Sequence, residues 1–294
     1  MERISFYDQI AKNKRNSVIL ITIIFLVFLL LGYVIGQVWG QGSIFIVMIF
    51  SIIISLSYIL ISYYNSDKIA LASVNAKEAP REQFRQFYNS VEGLTLASGL
   101  PMPKLYVMQN EQINAFATGR DPAHAVICVT TGALNKLNKQ ELEGVLAHEL
   151  SHVANYDIRF MTLTAVLVGM IAIISQMFLR SLWFNSSNSD NKNNNAIFLI
   201  IGILLAILAP TFVQLTQLAI SRKREYSADA SAVKFTRSPT GLIGALEKIK
   251  GDKPMKTNKV VSSLFISDPL KKNLDNLMST HPPLEKRIQI LSKM

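Results

Sequence analysis

Two histidines and a glutamate in one short run carry the clearest chemical signal in this sequence. His148, Glu149 and His152 form the pattern H-E-x-x-H. Residues four apart on an α-helix point the same way, so the two imidazoles can share one metal ion. A zinc ion held by two histidines and a carboxylate keeps a position for water and lowers its pKa to about 7. The pattern therefore predicts one Zn²⁺ per chain, with Glu149 taking the proton from water in a peptidase reaction.

This chemistry requires a helix, and the flanking residues predict one over Asn138–Val153. Asn138 is suited to be the N-cap, and Glu141 follows three residues later, as in a capping box. Apolar residues then recur at helical spacing: Leu142, Val145, Leu146, Leu150 and Val153. The competing interpretation is a pair of histidines exposed on a helix surface. The chain has only four histidines, so a chance H-E-x-x-H is rare, which favours the metal site.

A catalytic zinc ion needs a third protein ligand, and no third histidine follows His152 at the metzincin spacing. Glu225 is the best candidate for this ligand. Glu225 and Asp229 are four residues apart and share a helix face. One carboxylate can therefore bind the metal while the other accepts a hydrogen bond from a ligating histidine. The alternative is a pair of solvated carboxylates on an exposed helix face.

Three runs of the sequence together carry a resemblance to a known family. They are His148–Asp157, Arg222–Asp229 and Thr280–Arg287. In these runs, and in the apolar segments around them, the chain resembles the HtpX family of membrane zinc proteases, relatives of the CAAX-prenyl endopeptidases. The resemblance covers nearly the whole chain. It implies an endopeptidase that cleaves protein substrates, mainly membrane proteins or misfolded proteins, in quality control under stress at a bacterial plasma membrane.

The resemblance also implies roles for individual residues of the metal site. In the gluzincin arrangement the zinc ligands are His148, His152 and Glu225, and the general base is Glu149. Asp229 matches a carboxylate that accepts a hydrogen bond from a ligating histidine. At the ligand positions the chain does not depart from the family pattern.

Two further elements of the resemblance are also supported by chemistry. His281 and Arg287 match the family run H-P-x-x-x-x-R, and either side chain near a scissile carbonyl can stabilise an oxyanion. On its own, His281 would more often be a loop histidine. The run Asn114–Gly119 resembles the edge strand on which zinc peptidases of this clan lay an extended substrate. The residues predicted to bind substrate are Asn114, Ala115, Phe116 and Ala117. Asn155 and Asp157 are interpreted as helix-end capping groups.

Half of the residues are hydrophobic, and they are clustered in blocks. Four blocks are long and apolar enough to cross a hydrocarbon core of about 30 Å. These predicted spans are Ser17–Ile35, Ile44–Tyr64, Phe160–Leu179 and Ala196–Ile220. The first is longer than the apolar region of a signal peptide and has no small-residue cleavage site after it, so we expect it to remain as an anchor.

The positions of Lys and Arg predict the orientation of these spans. Basic residues precede the first span and follow the fourth as Arg222–Arg224, whereas the Gly36–Gln41 connection carries no charge. Positively charged segments stay in the cytoplasm, so both termini and residues 65–159 are expected there, with the loop 180–195 on the far side. The net charge of +10 is concentrated beside the spans, which indicates contact with the lipid bilayer and not with nucleic acid.

The predicted fold class is an α+β membrane protein with four transmembrane helices and a cytoplasmic zincin-like metalloprotease domain, built from a small mixed sheet plus helices. The four predicted segments are residues 1–64, 65–159, 160–220 and 221–294. Predicted strands are Leu105–Met108, Ile113–Thr118 and Ala125–Thr130. Predicted helices besides the motif helix are Ala79–Leu96, Gly241–Ile249, Leu270–Met278 and Pro283–Leu291.

The rival function is a four-span channel or transporter with a structural, non-catalytic zinc site. Ion and substrate pathways through a membrane use charged residues within the spans. The predicted spans contain no Asp, Glu, Lys or Arg, and a structural zinc site has no use for Glu149. Both observations favour the protease.

Overall fold

A computed structural model describes residues 6–39, 42, 44–167, 222–253, 255, 264–267 and 281–294 of the chain. Its helices are α1 (Phe6–Trp39), α2 (Ile44–Ser73), α3 (Arg85–Ser98), α4 (Thr131–Lys136), α5 (Lys139–Ala154), α6 (Arg222–Thr236), α7 (Thr240–Gly251) and α8 (Leu284–Leu291). Its strands are β1 (Lys77–Glu78), β2 (Lys104–Met108), β3 (Ala115–Thr118) and β4 (Val126–Thr130). Residues 157–167 are also helical.

Helices α1 and α2 are the two described helices that are long and apolar enough to cross a membrane. Their candidate spans are Ile10–Leu30 and Ile44–Ser73, and only 22% and 11% of the residues in their apolar stretches are buried within the protein. Apolar side chains that face outward all round a helix are typical of contact with lipid. The first two predicted spans thus coincide with helices. The third begins in residues 157–167 and otherwise lies outside the described residues, as the fourth does entirely.

The sheet has the strand order β1-β2-β4-β3. Strands β2 and β4 are parallel, whereas β1–β2 and β4–β3 are antiparallel, so the sheet is mixed as predicted. Strand β3 lies at one edge. All five residues of β4 are buried because both faces of the sheet are covered.

The two faces of β4 join the catalytic domain to the membrane helices. Ile127 and Val129 belong to a core cluster that includes Leu146 and Leu150 of α5. Val126 and Cys128 belong to a second cluster that includes Ala70 and Leu71 at the end of α2. Because side chains alternate across a strand, one strand packs against both the motif helix and the membrane helix. The sheet therefore sets the distance between α5 and α2.

The motif helix α5 begins as the sequence predicts. The Asn138 side chain accepts a hydrogen bond from the Glu141 amide at 2.9 Å, and the Glu141 carboxylate accepts one from the Asn138 amide at 2.7 Å. This capping box satisfies amides that have no partner inside the helix. Lys248 of α7 donates to the same Glu141 carboxylate at 2.6 Å. The start of α5 is thereby tied to α7.

Close packing at two glycines brings α5 and α7 together. A Cβ atom on Gly144 would lie 2.4 Å from the Leu242 amide nitrogen, and one on Gly241 would lie 2.2 Å from the Gln140 carbonyl oxygen. Any larger side chain at either position would push backbone against backbone. Glycine at these sites lets α7 lie directly against the helix that carries the H-E-x-x-H pattern.

Outside the membrane spans, the predicted strands and helices that the structure describes begin and end within two residues of the sequence-based expectation, except at the start of α3. Helix α3 begins at Arg85, not at Ala79, because the Pro80 carbonyl accepts hydrogen bonds from the amides of Gln83 and Phe84 in a preceding turn. Strand β1 was not predicted, since two residues carry no detectable alternation. The helix predicted over residues 270–278 lies outside the described residues.

Candidate active site

The three predicted zinc ligands converge on one point. Ligand atoms of His148, His152 and Glu225 all lie within 4.8 Å of one another, and all three side chains are buried. The two Nε2 atoms are 3.2 Å apart. Glu225 places one carboxylate oxygen 3.6 Å from His148 Nε2 and the other 3.6 Å from His152 Nε2. Helices α5 and α6 are therefore packed so that Glu225 meets the histidine pair, although 72 residues separate it from His152 in the chain.

The other ring nitrogen of each histidine contacts a buried carboxylate. His148 Nδ1 lies 2.9 Å from Asp229 Oδ1, and His152 Nδ1 lies 3.1 Å from Asp157 Oδ2. Each Nδ1–H therefore donates to a carboxylate, which fixes the tautomer and leaves Nε2 with its lone pair toward the shared point. Asp229 was predicted to have this arrangement with a ligating histidine. The same arrangement at Asp157 was missed.

Asp157 reaches His152 because the chain reverses after α5. Helix α5 ends at Ala154 with Asn155 as its C-cap, as expected. Tyr156 then adopts a φ of 58°, a left-handed conformation that is uncommon for a residue with a side chain. The turn returns Asp157 to the face of His152. Only its position five residues past His152, inside the run that resembles a known family, could have indicated this role.

The site fits a divalent cation. Two Nε2 lone pairs that face each other at 3.2 Å repel unless a positive charge lies between them. Among the described residues, Glu225 Oε2 is buried with no hydrogen-bond partner, and so is Glu149 Oε1. A buried carboxylate oxygen without a donor is costly, and a metal ion supplies the missing positive charge. Two imidazoles and a carboxylate are the ligand types that catalytic zinc prefers.

The balance of buried charge supports the same conclusion. Four buried carboxylates surround the site: Glu149, Asp157, Glu225 and Asp229. Two buried guanidinium groups accompany them: Arg224 and Arg287. With neutral imidazoles this leaves two negative charges in excess, and a dication offsets them. Burial and Arg287 disfavour the charged form of His148, but the nearby carboxylates of Asp229 and Glu225 outweigh them and raise the pKa of His148 to about 9. The negative charge of these carboxylates thus favours a cation in the pocket.

Arg287 lies behind His148. It is fully buried and binds Asp229 through two hydrogen bonds, from Nε at 2.9 Å and from Nη2 at 2.7 Å. Its Nη1 donates to the Ile266 carbonyl at 3.1 Å and lies 3.5 Å from Glu225. Burial alone would raise the pKa of Asp229, but Arg287 and the hydrogen bond from His148 hold it below its ordinary value. Arg287 therefore keeps Asp229 ionised and oriented.

His281, which precedes α8, is also part of the site. Its side chain is buried. Burial favours the neutral form of Glu225, but the electrostatic effect of His281, followed by those of His148 and His152, holds the pKa of Glu225 well below its ordinary value. The segment 281–287 thus brings both His281 and Arg287 close to Glu225.

Glu149 lies between the ligands and the edge strand. It is buried, and the Ala117 amide donates a hydrogen bond to its carboxylate. Burial raises the pKa of Glu149 despite the opposing effects of His148 and His152. A carboxylate whose pKa is raised toward neutrality is a stronger base than an exposed glutamate.

The predicted substrate strand coincides with β3, whose four residues are buried. The Asn114 carbonyl accepts from the Thr130 amide, so the next residue, Ala115, turns its carbonyl away from β4. That carbonyl accepts a hydrogen bond from the Ile266 amide at 2.9 Å, and Asn114 Nδ2 donates to the Ser267 carbonyl at 3.2 Å. Residues 264–267 therefore lie along the outer side of β3.

Comparison with known proteins agrees with this geometry. The sequence model of Peptidase family M48 matches residues 81–294. The "Protease HtpX homolog" of Dictyoglomus thermophilum is 43% identical over 296 residues, covering 100% of this chain and 96% of that protein. The protein of the same name from Caldanaerobacter subterraneus is 43% identical over 302 residues, covering 100% and 99%, and that of Limosilactobacillus reuteri is 42% identical over 298 residues, covering 98% and 99%.

This chain belongs to peptidase family M48. It is a metalloprotease, and the channel or transporter alternative is not favoured. The crystal structure of S. mikatae Ste24p is similar at a TM-score of 0.48 and 20% identity, covering 96% of this chain. The chain spans 65% of the length of that protein.

The roles of Glu149 and Glu225 can be separated by a matched pair of substitutions. Glu149→Ala should keep zinc and lose proteolysis by about 10²–10⁴-fold, because the three ligands stay in place while the general base is lost. Glu225→Ala should lose both, since a site of two histidines binds zinc weakly. Zinc content of the purified proteins and hydrolysis of casein measure the two effects. Full zinc content in Glu225→Ala would place the third ligand elsewhere.

Proposed function

We propose that this M48 metalloprotease is a zinc-dependent endopeptidase of a bacterial plasma membrane that cleaves membrane proteins or misfolded proteins in quality control under stress. Four spans anchor it, and its active site and both termini lie in the cytoplasm. The observation that carries the proposal is the convergence of His148, His152 and Glu225 beside Glu149, at the edge of β3.

The residues of the site divide the work of peptide hydrolysis. Bound Zn²⁺ supplies a Lewis acid and makes water a nucleophile at neutral pH. Glu149 takes the proton from water and passes it to the leaving amine, and its hydrogen bond from Ala117 holds it in place. His281 stabilises the oxyanion from beside Glu225. Arg287 acts through Asp229, whose hydrogen bond orients His148.

An extended substrate pairs with the outer side of β3. Ala115 and Ala117 direct their backbone groups away from β4, and the Ala117 amide is already beside the general base. A peptide laid along this edge has its scissile bond near Glu149. Binding through backbone hydrogen bonds gives affinity with little dependence on sequence, which suits an enzyme that degrades many proteins.

Residues 264–267 must shift for this pairing to extend along the strand. The Ala115 carbonyl already accepts a hydrogen bond from the Ile266 amide, and Phe265 packs edge-on against Phe116 with ring centroids 5.0 Å apart. A substrate amide would compete for the same carbonyl. We therefore infer that substrate binding displaces Ile266 from the edge of β3.

Hydrogen exchange tests this displacement. The Glu149→Gln variant, which keeps substrate intact, should lose protection of the Ile266 amide when a casein peptide binds, because the bond to Ala115 is broken. Peptides covering β2, in the middle of the sheet, serve as the internal control and should keep their protection. Binding that leaves the Ile266 amide protected would show that substrate uses another edge.

Contacts near the end of α2 support a site at the membrane surface. Tyr63 and Tyr64 end the apolar run of α2. The Arg159 guanidinium lies 6.0 Å from the Tyr63 ring, and that of Arg120 lies 5.4 Å from the Tyr64 ring. Aromatic and basic side chains are enriched where membrane meets water. Arg159 is two residues from Asp157, so the metal site lies close to this boundary.

Membrane topology can be tested by cysteine labelling in intact cells. With Cys128 replaced by Ala, a cysteine at the exposed position Asn89 of α3 should react with an impermeant reagent only after the cells are opened. A cysteine at Ser187, in the loop predicted on the far side, should react without opening. The reverse pattern would invert the topology, and labelling of both positions in intact cells would exclude it.

A preference for membrane substrates can be measured with one flexible sequence presented in two ways. The enzyme in liposomes should cleave the sequence at least about tenfold faster, as kcat/KM, when it is joined to a transmembrane segment than when it is free, because tethering raises its concentration at the membrane surface. A zinc chelator should abolish both reactions. Equal rates would support a general protease without this preference.

A further inference from the structure

Helix α1 carries a buried polar side chain, Asn13, that lies next to the proposed metal site. Asn13 of α1 is only 2% exposed, whereas its neighbours Lys12 and Lys14 are exposed. A buried amide is costly unless its donors and acceptor are all satisfied. Asn13 lies four residues before Ser17, where the predicted first span begins, so its partners lie at the cytoplasmic end of that span.

Among the described residues, the hydrogen-bond partners of the Asn13 side chain all belong to the active-site region. Asn13 Nδ2 donates to Asp157 Oδ1 at 2.6 Å and to the Asn155 carbonyl at 3.0 Å. Asn13 Oδ1 accepts from Arg224 Nη2 at 3.1 Å. An amide can donate to a carboxylate through its nitrogen and accept from a guanidinium through its oxygen at the same time. A carboxylate at position 13 would face Asp157 with like charge, and an apolar side chain would satisfy neither partner.

Asn13 and Arg224 together determine how Asp157 faces its histidine. Both approach Oδ1 of Asp157, Arg224 through Nε at 3.0 Å. This leaves Oδ2 directed at His152 Nδ1, 3.1 Å away. If Asn13 is removed, one of two donors on Oδ1 is lost and the carboxylate can rotate away from the ring. Arg224 also directly precedes Glu225 in the chain. The Asn13 amide therefore contacts both the segment that follows His152 and the residue before Glu225. His152 and Glu225 are two of the three proposed zinc ligands.

We propose that Asn13 is a positioning residue of the zinc site, and that helix α1 is a component of the metal centre as well as a membrane anchor. Asn13 orients Asp157, Asp157 orients His152, and the bond to Arg224 holds the start of α6 against both. The proposal rests on the assignment of His152 and Glu225 as zinc ligands. It predicts that the contact between α1 and the catalytic domain sets zinc affinity.

The matched variants are Asn13→Leu and Asn16→Leu, in the full-length protein in detergent micelles. Leu has the same number of side-chain heavy atoms as Asn and the same branching at Cγ, but it has no hydrogen-bonding groups. Asn16 is half-buried on the same helix and has no side-chain hydrogen bond to the described residues, so it controls for adding an apolar side chain to α1. The zinc dissociation constant, by competition with a chromophoric chelator, and kcat and KM for casein are measured for each.

Asn13→Leu should raise the zinc dissociation constant about tenfold, the lower end of the ~10–100-fold range seen when partners of metal ligands are removed. It should lower kcat and leave KM unchanged, while Asn16→Leu should match the wild type in all three quantities. Asn13→Asp keeps the shape of the side chain and the acceptor for Arg224 but removes the donor to Asp157. It should weaken zinc binding at least as much, which provides a second variant if Asn13→Leu does not fold.

A double-mutant cycle with Asp157→Asn decides whether Asn13 acts through Asp157. If it does, adding Asn13→Leu to Asp157→Asn should change zinc affinity by less than about twofold. The reason is that Asn13 would affect zinc affinity only through the Asp157 carboxylate, which the first substitution has already removed. Independent, multiplying effects would overturn the proposal. So would Asn13 variants that fold and bind zinc like the wild type, which would reduce Asn13 to a structural contact. A wild-type protein that neither binds zinc nor cleaves casein would instead refute the proposed function.

Discussion

Two imidazole rings must point their Nε2 atoms at one place, and the rest of the structure follows from how that orientation is held. A ring on a single helix can rotate about its side-chain bonds, so helical spacing alone does not orient it. In this chain each Nδ1–H is held by a buried carboxylate, Asp229 for His148 and Asp157 for His152. The carboxylates must then be held in turn, because an ionised group in the interior is costly without partners.

The partners of these carboxylates come from distant parts of the chain. Arg287 of α8 binds Asp229, and Arg224 of α6 and Asn13 of α1 bind Asp157. Each histidine is therefore oriented by a carboxylate, and each carboxylate is bound by residues of helices other than α5. The orientation of the two histidines therefore depends on contacts from the last described helix, the motif helix and the first long apolar helix together. The excess of negative charge that remains favours a dication at the site.

The same elements position the edge strand beside the site. Strand β4 packs on α5 with one face and on the end of α2 with the other, and the neighbouring edge strand β3 lies beside Glu149. Residues 264–267 connect these parts, since Ile266 bonds to Ala115 of β3 through its amide and to Arg287 through its carbonyl. Ile266 therefore links the outer edge of β3 to Arg287, the residue that binds Asp229.

The sequence by itself determined the features that depend on local contacts. The capping box of α5, its H-E-x-x-H pattern, the positions of three strands to within two residues, and the first two apolar helices all follow from neighbours along the chain. Spacing also made Glu225 the best candidate for the third ligand, and the resemblance to a known family added His281 and Arg287. Their convergence with the motif histidines could not be read from spacing, because it depends on how α6 and α8 pack against α5.

Only the tertiary structure decided the support of the site. Asp157 looked like a helix-end group because no periodicity extends past the left-handed turn at Tyr156. Asn13 gave no signal at all, since its contact with Asp157 joins residues 144 apart in the chain and hydrophobic patterns do not encode the partner of a single buried amide. The occupation of the β3 edge by Ile266 was hidden for the same reason. Pairing across long separations is set by the packing of whole elements, which no local run of residues specifies.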